Sequence, residues 1–217
     1  MRKHRTRLFY RVMIVLIACA TSVVAQELSS VPLPPPQTSG GKPLMQALKD
    51  RQTSREFSNQ KLSPQMLSNL LWAAFGINRP DSGKRTAPSA MNWQEIDIYV
   101  ASQDGLYIYD AKSNALKTIL AQDVREATGT QSFVKEAAVD LVYVADQSKT
   151  GRGGEDQMLY IGADTGFIAQ NVYLFCASEG LAVVVRGSVD RAAFAKIAKL
   201  RPNQKIILAQ TVGYPKK

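Results

Sequence analysis

The stretch Glu155 to Glu179 constrains this chain more than any other. Ile161, Phe167, Ala169, Val172, Tyr173 and Ala177 crowd more than one face of a helix, and Gly180 ends it. A helix that is apolar nearly all round belongs at the centre of a fold, because it has no face to give to water. The remaining elements must wrap it. Ile96 to Ala101 and Leu106 to Tyr109 alternate as strands across the turn Ser102-Gln-Asp-Gly105, which predicts a hairpin. A third strand fits Leu116 to Leu120. Val139 to Val144 is apolar enough for a central strand covered on both faces. Leu181 to Val185 and Lys205 to Val212 read as two more strands. Helices are expected over Pro43 to Asp50, from Ser63-Pro64 to Gly76, over Gln131 to Ala137 and over Val189 to Leu200. Asn78 to Thr86 reads as a polar loop. Helices and strands intermix and a hairpin is included, so the class is an α+β layered domain and not a doubly wound sheet.

The chain ends of this pattern are of another kind. Residues 1–25 join five basic residues (Arg2 to Arg11) to an apolar run and the small residues Val23-Val24-Ala25, the pattern of a secretory signal cleaved after Ala25. Leu16-Ile17-Ala18-Cys19 also fits a lipoprotein cleavage box, which would anchor the chain through Cys19; otherwise it is periplasmic or secreted. Residues 26–42 are rich in Pro, Gly and Ser and read as an exposed linker before a domain over 43–217. Removing five cations and no acid lowers the formal charge from +9 to +4, 22 basic residues against 18 acidic ones. That weakens any case for a nucleic-acid partner, and no basic run interleaved with aromatics is present. His4 is the only histidine, so the mature chain has no Ser-His-Asp or Cys-His triad and no histidine-ligated metal. Cys176 lies in an apolar helical pattern and reads as packing. Reactivity must come from other side chains or from a bound cofactor.

Four stretches carry candidate chemistry. Arg51-Gln-Thr-Ser-Arg55 sets two guanidiniums around a hydroxyl, a donor set that suits phosphate. Thr86-Ala-Pro-Ser-Ala-Met-Asn-Trp-Gln94 offers a rigid turn at Pro88-Ser89, with Asn92 and Gln94 on one side if Met91 to Ile96 is extended. Arg186-Gly187 ends a strand, where free backbone N–H groups can face a ligand. Gly213-Tyr-Pro-Lys-Lys217 is a turn that leads to two cations.

Taken in order, Arg-x-Thr-x-Arg, Ala-Pro-Ser-x-x-Asn-x-Gln, the Ala-Gln-Asn of the long helix, Gly-Leu and a final Gly-Tyr-Pro resemble the FMN-dependent nitroreductase family over about Leu44 to Pro215. Leu71-Trp-Ala-Ala, Arg85-Thr-Ala-Pro-Ser-Ala and Gly105-Leu-Tyr-Ile-Tyr-Asp110 look most like its peptide-azoline dehydrogenase branch, whose members form thiazoles and oxazoles. The resemblance implies a nitroreductase-like layered fold with a mixed, mainly antiparallel central sheet flanked by helices. It implies that Arg51, Thr53 and Arg55 grip the phosphate and ribityl chain of FMN, with Lys216 or Lys217 as helpers. Pro88, Ser89 and Ala90 match the turn against the isoalloxazine, and Asn92 the side chain that bonds it. Arg186 and Gly187 match backbone near the flavin's N5 and O4. A homodimer with FMN at its interface is implied, passing hydride from NAD(P)H to an electron-poor small molecule. The flavin then does the chemistry and no side chain need be catalytic. Two other functions stay open: a flavin-binding module without turnover, and an azoline-type dehydrogenase acting on a peptide.

Overall fold

The computed structural model describes residues 29–151 and 154–217. The expected secretory signal, Cys19 and the first three residues of the expected linker lie outside the described residues.

Strand β7 (Val139–Asp146) organises the sheet. Side chains alternate along a strand, so Val139, Leu141, Tyr143 and Ala145 face one way while Val142 and Val144 face the other. Both sets are buried, and every residue of β7 is covered. Its neighbours are β4 (Ile96–Ser102) and β9 (Gln204–Gly213). Beyond β4 lie β5 (Gly105–Asp110), β6 (Ala115–Leu120) and β1 (Ser30–Pro32); beyond β9 lies β8 (Ala182–Arg186). The order is β1-β6-β5-β4-β7-β9-β8, and all its ladders are antiparallel. The expected hairpin is β4–β5, closed where Ser102 pairs with Gly105.

Helices cover both faces. Leu70, Leu71 and Phe75 of α2 (Pro64–Phe75) and Ile161, Ile168, Val172 and Cys176 of α3 (Glu155–Glu179) pack against Ile98, Leu141 and Tyr143. Phe194 of α4 (Arg191–Ile197) packs with Tyr99, Val142 and Ala209 on the opposite face. Helix α1 (Leu44–Asp50) lies against α3. Ser63 caps α2 through Met66 N–H at 3.1 Å, and Pro64 follows at its first position. Gly180 ends α3 with φ +69°, a left-handed conformation that glycine adopts without a Cβ penalty. Among the described residues, no helix is long and apolar enough to cross a membrane.

Three expectations change. First, α3 is not surrounded. Its inner face is buried, but Leu159 is 67% exposed and Phe167 47%, with Tyr160 exposed beside them. The crowded pattern thus serves two surfaces, one on the sheet and one bare in the single chain. Second, the Pro-rich segment is docked across the domain. Ser30–Pro32 pairs with β6, Ser68 and Asn114 donate to the Pro34 carbonyl, and Gln65 donates to that of Pro35. Lys42 N–H then reaches Ser178 at the end of α3. Prolines lack N–H groups but keep carbonyls, and α2 and Asn114 supply the donors. Third, local detail differs: Gln131 to Ala137 holds only a 3₁₀ turn (Ser132–Lys135), and the polar loop contains the two-stranded pair β2 (Ile77–Arg79) and β3 (Lys84–Arg85).

Candidate functional site

The segment after α1 belongs to no helix or strand, and Arg51, Thr53 and Arg55 alternate along it with Gln52 and Ser54. It lies beside edge strand β8, with Ser54 N–H donating to Val183 O at 3.0 Å. Phe57 bridges to Pro215, and Lys216 N–H donates to Glu56 O at 3.3 Å. Arg51, Thr53, Arg55 and Lys216 are therefore gathered along one edge of the sheet. Tyr173 of α3 fixes the geometry. Its hydroxyl meets Thr53 Oγ1 at 3.1 Å and accepts from Val185 N–H at 3.0 Å, and the Arg51 guanidinium lies 5.4 Å above its ring. Among the described residues neither Arg51 nor Arg55 has a carboxylate partner, so their donors remain for an anion. Arg51, Gln52 and Ser54 line a cavity of about 480 Å³ with Lys42, Lys49, Cys176 and Pro215. Burial pushes the Cys176 thiol far up from its ordinary value, which fits packing and not nucleophilic attack.

The Pro88 turn stands elsewhere. Arg85 fastens it by donating from Nε to Gln94 Oε1 and from Nη1 to Phe75 O at the end of α2, with its guanidinium 4.6 Å above the Phe75 ring. Ser89 Oγ accepts from Gln94 N–H at 2.8 Å. Met91, Asn92 and Gln94 all have positive φ (51°, 57° and 48°), so Met91 to Ile96 is not the extended run expected. Left-handed backbone in three non-glycine residues is costly and collects at functional sites. Gln94 is consumed internally, donating also to Gly83 O and Asn92 Oδ1. Pro88, Met91 and Asn92 are left exposed. Ala90 N–H donates to Asp164 of α3 at 2.8 Å. Asp164 and Tyr173 are nine residues apart, about 13 Å along the helix. Within one chain, the turn and the arginine segment thus sit at two levels of α3.

Arg186 is buried. Its guanidinium pairs with Asp140 at 2.9 Å and donates to Thr211 Oγ1 and Thr128 O. That leaves its backbone and the exposed Gly187 as the groups able to face a ligand, which is the part the resemblance assigns to them. Tyr173, Lys42, Lys49, Glu95 and Asp164 were not singled out by sequence reasoning. Their importance depends on long-range contacts that no local spacing shows.

The sequence pattern of the nitroreductase family matches residues 48–214. This chain belongs to the nitroreductase family. A nitroreductase candidate of Methanocaldococcus jannaschii is 30% identical over 162 residues, covering 70% of this chain and 81% of that protein. The crystal structure of a nitroreductase candidate from Ralstonia eutropha is 40% identical, with TM-score 0.82, over 89% of this chain and 93% of that one. The Escherichia coli microcin synthetase McbBCD complex shares the fold at 20% identity and TM-score 0.67, over 95% of this chain and 85% of that one. The protein is thus an oxidoreductase of a family that generally uses FMN with NAD(P)H, and nitroreductase-fold proteins are typically dimers.

Proposed function

We propose that this nitroreductase binds FMN between two copies of the chain and passes hydride from NAD(P)H to an electron-poor small molecule, acting outside the cytoplasm after export. The carrying observation is Tyr173, whose hydroxyl joins Thr53 of the arginine segment to the strand end that leads into Gly187. Two unpaired guanidiniums and a hydroxyl then stand one strand away from backbone able to meet a flat ring. Arg51, Thr53 and Arg55 would hold the phosphate and ribityl chain, with Lys216 beside them. The Pro88–Asn92 turn meets α3 at Asp164, nine residues before Tyr173, and a two-fold pairing through the bare face of α3 would bring the partner's turn to the ring. Bound FMN supplies the hydride chemistry; the chain orients it and excludes water. Residues 1–25 support export by their pattern alone.

The test is flavin binding by the purified protein. Arg51→Ala with Arg55→Ala should weaken FMN affinity at least about a hundredfold, since charge-assisted hydrogen bonds contribute about 1.5–3 kcal/mol each. Unchanged FMN affinity in the double variant contradicts the assignment.

A second reading concerns the substrate and the direction of hydride transfer. Leu71-Trp-Ala-Ala and Arg85-Thr-Ala-Pro-Ser-Ala favour a peptide-borne azoline, which would then be oxidised while the flavin is reduced. Turnover of azoline peptides and of nitroaromatics, measured side by side, separates the two.

A further inference from the structure

Two buried carboxyls hang on the Ser89–Gln94 turn. Glu95, just before β4, is fully buried, and Asp164 on α3 is 2% exposed. Ser89 Oγ donates to Glu95 Oε2 at 3.2 Å, and Ala90 N–H donates to Asp164 Oδ2 at 2.8 Å. Glu95 Oε1 is buried with no hydrogen-bond partner. The two carboxyls thus accept from adjacent residues of one turn, Ser89 and Ala90. Neither takes part in an ion pair among the described residues. From β7, Asp146 N–H bonds the Glu95 carbonyl, but the Asp146 carboxylate turns to Ser148, Asn203 and Arg201. The charged group acting on Glu95 is therefore Asp164. Two ionised carboxylates held by one turn, buried and without a cation, repel strongly and leave an oxygen orphaned.

We propose that Glu95 is a neutral carboxylic acid that donates its proton to Asp164, and that this one proton clamps the Ser89–Gln94 turn. The bonds then close a circuit: Gln94 N–H to Ser89 Oγ, Ser89 O–H to Glu95, Glu95 to Asp164, and Ala90 N–H to Asp164. The circuit begins and ends in the turn whose backbone holds three left-handed residues. Burial first, then Asp164, raises Glu95 from its ordinary value. A raised folded value means that the clamp is whole below it and is lost as pH rises through it. Glu95 acts as a positioning residue. The proton does not depend on any cofactor; its service to flavin binding rests on the function proposed above.

Infrared spectroscopy of the full chain at neutral pH tests this directly. A protonated-carboxyl C=O band is expected, shifting on ¹³C-glutamate labelling and absent in Glu95→Gln. Trp93, in the turn and edge-on to Tyr160, gives a second readout. Its fluorescence should change as wild type is taken alkaline and stay constant in Glu95→Gln, whose amide mimics the neutral acid. Glu95→Ala should weaken FMN binding about tenfold or more, and Glu95→Gln should rescue it. No glutamate-sensitive band in wild type overturns the proposal, and needs no variant to fold. If wild type binds no FMN at all, the flavin reading fails, while the band and Trp93 still decide the proton.

Discussion

Arg186 of β8 and Asp140 of β7 meet across the intervening strand β9, 5% and 0% exposed. The guanidinium also rests on Gly129, where a Cβ would stand 2.0 Å from Nη1, so only glycine leaves room for it. Removing one member of such a pair strands a buried charge. Arg186→Met should therefore cost about 3–5 kcal/mol, whereas Arg186→Met with Asp140→Leu should recover much of that loss. Burial pushes Asp140 up to about 6, against the pull of Arg186. Its folded value thus exceeds the unfolded one, about 3.9, and the folded chain holds the proton more tightly. Wild type should accordingly gain stability relative to the double variant as pH falls from about 7 to about 4.5, in urea denaturation. The opposite slope would contradict the buried pairing. At this scale Arg51, Thr53 and Arg55 were legible because their period-two spacing is local. Tyr173, 120 residues from Thr53, was not, because only the packing of α3 on the sheet brings its hydroxyl there.

Among the elements, α3 and the β4–β5 hairpin were readable from periodicity, since burial imposes 3.6 and 2.0 repeats directly on the sequence. Periodicity could not say what covers the second face of α3. Nor could composition show that the proline-rich segment docks, because its partners Gln65, Ser68 and Asn114 are distant in sequence. The bare face joins Leu159 and Phe167 on α3, while α1 leaves Leu44 and Met45 exposed at 62% and 76%. Exposed apolar area of this kind marks an interface. Light scattering should give twice the chain mass for wild type. Phe167→Glu, which would bury a charge there, should shift the mass towards one chain and weaken flavin binding with it. A variant that keeps the wild-type mass would remove α3 from the interface.

For the molecule as a whole, the α+β class, the antiparallel sheet and the family were all carried by ordered motifs that survive as contacts. The site was legible only in halves. The arginine segment and the Pro88 turn each carry motifs that resemble the family's, yet they meet α3 at residues about 13 Å apart along its axis. Flavin held at the boundary between two copies, as proposed above, would reconcile the halves. A visible absorption spectrum of the full-length protein, titrated with FMN and then with NAD(P)H without oxygen, addresses that most directly. The account predicts saturation at one flavin per chain in the dimer, followed by bleaching of the flavin bands. A protein that stays colourless through the FMN titration would contradict it.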